Sequence, residues 1–333
     1  MKSIREVTDL TEKIVLLRVD FNVPVGDDGV VDESEDFRIR RTLGTIEYLE
    51  NIGARIIIIS HIDEESGSTT LLPVYNYLMG HFKLAFARNI ADAKTFIGSV
   101  QIVLLENIRQ YEGEKINDPE FAAELAGLGH IYVNEAFSVS HREHASIVGL
   151  PKLMPSYAGL NMIEEVKNLS YVLGKPEQPY IALVGGAKLE SKRPVIDKLM
   201  SVADEVLVGG RIGLDWSEEL PDNVCLPKDY TEDELDIGPQ TIESYKELIK
   251  LSKTVLWAGP MGQFEQEGNE KGTRAVAEAI ISSGAYSVVG GGDTAKALAK
   301  FGLLEKFTFV STGGGAVLEY IANGTLPGIE ALG

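Results

Sequence analysis

The chain has 333 residues, with 31 Lys plus Arg against 50 Asp plus Glu, a formal charge of −19 and a 44% apolar fraction. That describes about two folded domains, each able to bury its own core, and excludes disordered, collagen-like and coiled-coil classes. The acidic balance argues against nucleic acid or an anionic membrane surface as partner, so an anionic ligand must find a local basic site.

In chain order, β-branched runs at 14–19, 55–60, 101–105 and 131–133 predict buried strands, and helical spacing follows at 38–51, 71–82 and 120–128. After the Gly/Pro punctuation of 174–179 the pattern resumes. Strands are expected at 180–184, 205–208, 254–257, 287–289 and 307–310, with helices at 192–202, 241–252, 272–283 and 294–301. Most of the strand runs lack polar alternation, as parallel strands covered on both faces do. Strand alternating with helix predicts an α/β protein of two doubly wound parallel-sheet domains joined by a hinge. The expected bounds are 1–158, an interdomain helix and linker at 159–178, 179–312, and a segment 313–333 that returns to the first domain.

Ligands of such sheets sit beyond the carboxyl ends of the strands, so the residues there carry the most weight. Nine of the twelve arginines fall in 1–150 and 23 of the 34 glycines in 151–333, which gives the halves different chemistry. The first half delivers Asp20, Phe21 and Asn22, then His61, Arg109 and Arg142, with Arg38 opening a helix. Forked guanidinium groups suit carboxylate and phosphate oxygens, although any single Arg also fits a solvated surface. His141 and His144 have a metal-like spacing, but Arg142 between them would repel a cation.

The second half delivers glycine clusters: Gly185 and Gly186 before Lys188, Gly209 and Gly210, Gly259, Gly290 to Gly292 before Asp293 and Thr294, and Gly313 to Gly315. Without Cβ atoms the main chain can aim amides at a phosphate, and a following helix N-terminus adds positive potential. One cluster is also what a tight strand-to-helix turn needs; five point to a polyphosphate nucleotide. Lys188 and Lys192 supply cations, and Asp293 suits Mg²⁺ or an N-cap on the next helix. No Walker-type loop occurs, and no G-x-G-x-x-G follows the first strand, so dehydrogenase chemistry is unsupported.

The strings RVDFNVPV (18–25), LLENIRQYEGE (104–114), YVNEAFSVSHREHAS (132–146), GGAKLESK (185–192), DIGPQT (236–241), WAGPMGQFE (257–265), GGGDTA (290–295) and STGGGA (311–316) resemble the phosphoglycerate kinase family, in order and across the chain. The resemblance implies reversible phosphoryl transfer between ATP and the carboxylate of 3-phosphoglycerate, with Mg²⁺, by domain closure in a glycolytic monomer. It carries over acceptor binding to Asp20, Phe21, Asn22, Arg38, His61, Arg109 and Arg142. Nucleotide binding falls to Lys188, Lys192, Gly209, Gly210, Glu265, Gly290, Gly291, Gly292, Asp293 and Thr294. Arg38, Lys188, Lys192, Gly291 and Gly314 are the expected catalytic groups, with Asp293 on the Mg-nucleotide. A lone Cys225 and a charged start without a secretory leader fit a cytoplasmic protein.

Three departures from the family pattern stand out. Ser60-His61-Ile62-Asp63-Glu64-Glu65 replaces Ser-His-Leu-Gly-Arg-Pro, so acids sit where the family places a phosphate-binding arginine. Ala258 replaces an Asn, and 216–235, around the family's adenosine pocket, is much shorter than usual. These changes leave two alternatives: a weak paralogue that binds nucleotide or another protein, and a carboxyl kinase with an altered acceptor.

Overall fold

The computed structural model describes residues 1–333 and divides into two compact units, 1–165 with 325–333, and 166–324. The expected interdomain helix is cut by this division: Leu160–Gly174 crosses it at 165/166. Of the segment expected to return to the first domain, 313–324 groups with the second unit and 325–333 with the first.

The first unit is built on β1 (Ile14–Arg18), β2 (Arg55–Ile59), β3 (Leu84–Ala87), β4 (Ile102–Leu105), β5 (Ile131–Asn134) and β6 (Ser156–Ala158). They form one parallel sheet in the order β3-β4-β2-β1-β5-β6. Its helices are α1 (Phe37–Asn51), α2 (Leu72–Leu78), α3 (Ile90–Phe96), α4 (Glu112–Lys115), α5 (Pro119–Ala126) and the start of α6 (Leu160–Gly174). Ile56, Ile57, Ile58 and Ile59 are all fully buried, because side chains on both faces of β2 are covered. Each contributes about 1.5–3 kcal/mol of burial, and the run shows no alternation because neither face meets water. The apolar stripe of α1 buries Ile39, Ile46 and Leu49 at three- to seven-residue spacing, and the chain leaves it through Gly53 at φ +79°.

In the second unit β7 (Tyr180–Val184), β8 (Glu205–Val208), β9 (Val224–Cys225), β10 (Thr254–Ala258), β11 (Tyr286–Gly290) and β12 (Phe309–Val310) form a parallel sheet ordered β12-β11-β10-β7-β8-β9. Around it lie α7 (Leu189–Met200), α8 (Pro239–Lys250), α9 (Lys271–Ser283), α10 (Gly292–Lys300) and α11 (Gly315–Asn323), while α12 (Pro327–Glu330) belongs to the first unit. Trp257 is fully buried in β10, and the buried Tyr245 hydroxyl donates to the Val208 and Cys225 carbonyls at 2.6 and 2.9 Å, tying α8 to the sheet. β8 and β9 are joined without a crossover α-helix; only a short 3-10 turn, Gly210–Gly213, intervenes.

Strand order reverses beside the first strand of each unit, between β1 and β5 and between β7 and β10. Side-chain and loop chemistry beyond those carboxyl ends is where a ligand is expected.

Candidate active site

In the first unit the ends of β1, β2, β4 and β5 converge. Asp20, just past β1, is 6% exposed and accepts from the Ser138 hydroxyl, which follows β5. Arg38 lies in the first turn of α1, 29% exposed at its side chain, with Nη1 3.4 Å from Asp20 Oδ2 and 2.9 Å from the Asn22 carbonyl. His61 Nε2 is 3.8 Å from Asp20 Oδ1. Burial opposes ionisation of Asp20, yet Arg38 and the Ser138 hydroxyl outweigh it and hold the carboxyl well below its usual range. His61 is pushed far down by burial, with Arg18, Arg109 and Arg142 reinforcing the effect against Asp20, so the ring is neutral. Phe21 is buried and sets the loop through its N–H to Ser60 Oγ at 2.9 Å.

Beside this cluster a cavity of ≈ 810 Å³ is lined by Asp63, Glu64, Arg109, Lys115, Arg142 and His144, among others. Glu64 lies on its rim as expected from the sequence, exposed and opening the 3-10 turn Glu64–Ser66. The acid that meets an arginine, however, is its neighbour: Arg109 Nη1 donates to Asp63. Asn22 joins the two groups, donating to Asp63 Oδ2 at 3.3 Å and accepting from the Asp63 N–H at 2.9 Å. Arg142 is exposed, and His144 is pushed down to about 4 by burial and by Arg109 and Arg142. Sequence reading expected Arg38, His61, Arg109 and Arg142 to line one mouth. The structure brings them to one sheet end, but His61 is 1% exposed and lies beneath the surface.

Beneath them runs a buried network that sequence reading missed. Arg18, fully buried at the end of β1, donates Nε to Ser146 Oγ at 2.8 Å and lies 3.3 Å from His61 Nδ1. Ser146 in turn donates its hydroxyl to Glu114 at 2.6 Å and its N–H at 2.9 Å. A buried charge persists only when paired and hydrogen-bonded. The available signal was a single Arg closing an apolar run.

The second unit presents backbone. Gly185, after β7, approaches so closely that a Cβ there would lie 2.0 Å from the Pro260 carbonyl oxygen. Gly210 has φ +61°, and a Cβ would lie 2.4 Å from the Gly186 carbonyl oxygen; only glycine fits both restraints. The Gly210 N–H meets the Met261 carbonyl at 2.8 Å, and the Gly259 N–H meets Thr294 Oγ1 at 2.8 Å. The loops after β7, β8, β10 and β11 thus share one floor. Gly291 and Gly314 are the N-cap residues of α10 and α11, and a Cβ on Gly314 would stand 3.6 Å from the Gly292 nitrogen. Two helix N-termini therefore lie together, and each carries the positive potential that favours an anion.

Lys192 lies in the first turn of α7; burial lowers its pKa, and the Asp293 carboxylate opposes that shift. Lys188 is the exposed N-cap residue of α7, Gly209 directly follows β8 and Glu265 is exposed after β10. Asp293 is not an N-cap: α10 starts at Gly292, two residues earlier than the spacing suggested, and the exposed carboxylate is left for other partners. Thr294 is buried and serves the loop after β10. Ala258 is fully buried in β10.

The phosphoglycerate kinase family model matches residues 4–220 and 216–324. A phosphoglycerate kinase of Rubrobacter xylanophilus is 38% identical over 387 residues, covering 99% of this chain and 98% of the relative. With 333 residues here, at least 54 residues of that relative have no counterpart. The two family-model matches meet at 216–220, inside the stretch whose shortness the sequence exposes. The solved phosphoglycerate kinase of Pyrococcus horikoshii has a TM-score of 0.87 at 27% identity, covering 100% of this chain and 98% of that one. That of Coxiella burnetii has 0.81 at 31%, covering 99% and 97%. With both matches spanning its length, the chain belongs to the phosphoglycerate kinase family.

Proposed function

We infer that the chain catalyses reversible phosphoryl transfer between ATP and the carboxylate of 3-phosphoglycerate, giving ADP and 1,3-bisphosphoglycerate. One observation carries this: the full-length family relationship is kept together with an anion-type cluster at one sheet end and a glycine floor at the other sheet's end. The family relationship does not favour a paralogue without turnover.

The acceptor falls to the first unit. Asp20 and Asn22 fix the loop after β1, and neutral His61, braced by Arg18, offers a hydrogen bond without adding charge. Arg38, Arg109 and Arg142 meet carboxylate and phosphate oxygens. In the forward direction an acceptor carboxylate oxygen bonds to the γ-phosphorus as its bond to the ADP oxygen breaks. Little covalent chemistry is asked of the protein; it must neutralise charge and align the atoms. Arg38 covers charge on the acceptor side. Lys188, Lys192 and the amides at Gly290, Gly291, Gly292 and Gly314 cover the phosphates, and Glu265 takes the ribose.

Mg²⁺ typically keeps several waters and takes one or two carboxylates plus phosphate oxygens. Asp293, exposed beside the glycine loops and not spent on a cap, fits that donor set and would hold the ion, which would supply charge neutralisation on the phosphates. We read the working form as a cytoplasmic monomer, to which a single unpaired Cys225 is suited. No helix is long and apolar enough to cross a membrane. A coupled assay with 3-phosphoglycerate, ATP and Mg²⁺ tests the function: turnover is expected, and nucleotide binding without turnover would overturn it.

A further inference from the structure

Every donor of Arg109 is withheld from the cavity that it lines. The side chain is 6% exposed; Nη1 is taken by Asp63, and Nε and Nη2 are shielded with no acceptor. Two buried, unanswered donors call for an acceptor, since such donors cost free energy until they are paired, and an anion suits a guanidinium best. What holds it in this state is a carboxylate that is itself anchored. Asp63 exchanges hydrogen bonds with Asn22 at 2.9 and 3.3 Å, and its carbonyl accepts from the Ser66 N–H at 2.9 Å. The Ser66 hydroxyl closes the loop onto Asn22 Oδ1 at 2.7 Å. Around the cavity, Arg109, Lys115 and Arg142 are matched by Asp63, Glu64 and Glu65, so an entering anion meets formal charges that already balance.

We propose that Asp63 is an internal competitor for the acceptor: it occupies Arg109 while the site is empty and is displaced when a phosphate or carboxylate group takes the guanidinium. Asp63 thereby sets how tightly the acceptor binds and leaves the chemical step alone. The Asn22 contacts keep the carboxylate at hand, so that it re-engages Arg109 as product leaves. The proposal rests on the reading of the first unit as the acceptor site.

Asp63→Asn keeps the shape of the side chain and removes its charge; Asp63→Ser removes the competing acceptor geometry as well. A charge-assisted hydrogen bond that no longer has to be broken corresponds to about a tenfold gain in affinity. In both variants we expect the KM for 3-phosphoglycerate to fall about tenfold, and sulfate to inhibit at correspondingly lower concentration. The kcat and the KM for ATP should stay within about twofold. An unchanged or higher KM for 3-phosphoglycerate in a variant that melts as the parent does overturns the proposal and makes Asp63 a brace for Arg109. Absence of turnover in the parent enzyme would instead strike the functional reading. Sulfate titration by calorimetry still decides the competitor question in that case: tighter binding to Asp63→Asn supports it, and equal binding rejects it.

Discussion

On the proposed function, the two units solve one problem, holding an anion, with different materials. The first uses side chains delivered by strand ends, Arg38, His61, Arg109 and Arg142, the first three of them each beside an acid. The second uses the N-termini of α10 and α11 behind Gly291 and Gly314, on a floor that Gly185 and Gly210 let pack closely, with two lysines added. A side-chain site can be retuned one residue at a time and must restrain long, flexible groups. The backbone floor tolerates little substitution where its loops touch, because a Cβ at Gly185 or Gly210 would strike a neighbouring carbonyl. The acidic loop at 63–65 lies in the first kind of site, where such a change can be made without breaking the fold.

The comparison can be broken most sharply at Arg38. Arg38→Ala should lower kcat by about 10²–10³, the cost of losing a charge-stabilising donor, while ATP affinity holds. Near-normal steady-state turnover would remove Arg38 from the chemistry. Gly210→Ala tests the backbone half: with φ +61° and a carbonyl 2.4 Å from the new methyl, we expect a loss of about 2 kcal/mol in stability by denaturant titration. ATP binding should weaken alongside it, with the KM for 3-phosphoglycerate unaffected. An unchanged unfolding midpoint would show that the loop has slack.

A third test reads pH. Glu135 is fully buried; burial pushes it up to about 7 even though the Thr45 hydroxyl and the Asn161 and Met162 N–H groups donate to it. A raised carboxyl contributes stability that is fully present below its unfolded value and is lost as pH rises through about 7. His61, shifted down, works oppositely: its contribution is present above the unfolded histidine value and fades as pH falls below it. The difference between the parent and Glu135→Gln isolates the first effect. Between pH 5 and 8 the parent should lose about 1–2 kcal/mol relative to the variant. Parallel melting-temperature curves would count against a protonated Glu135. The smallest effect is at the rim. Glu64→Arg should lower the KM for 3-phosphoglycerate about fivefold, since exposed charges are screened, and an unchanged KM would place that side chain outside the approach path.

The central strands were legible in the sequence because burial on both faces leaves uninterrupted apolar runs. Those that escaped notice are peripheral: β6 and β9 are edge strands of three and two residues, and β3 is an edge strand with three of its four residues only partly buried. Short, half-covered strands leave little periodicity to read. The strand-end side chains and glycine clusters were legible because parallel topology sends ligand chemistry to one sheet end. The Asp63–Arg109 pair was not, since 46 residues separate its members and only the β2 and β4 pairing brings their loops together. Glu64 drew attention by differing from the family pattern, while its neighbour made the contact.

The placement of 325–333 has a consequence for how the molecule is made. The Gly328 N–H donates to the Ser140 carbonyl at 2.8 Å, and its Cα leaves no room for a side chain against Ile147 and Ser140. A ribosome that has released only the first 165 residues has produced a body still missing this piece, which is synthesised after the whole of 166–324. The unit translated first is therefore the last to be completed, so premature termination anywhere beyond it harms the portion that was made earliest.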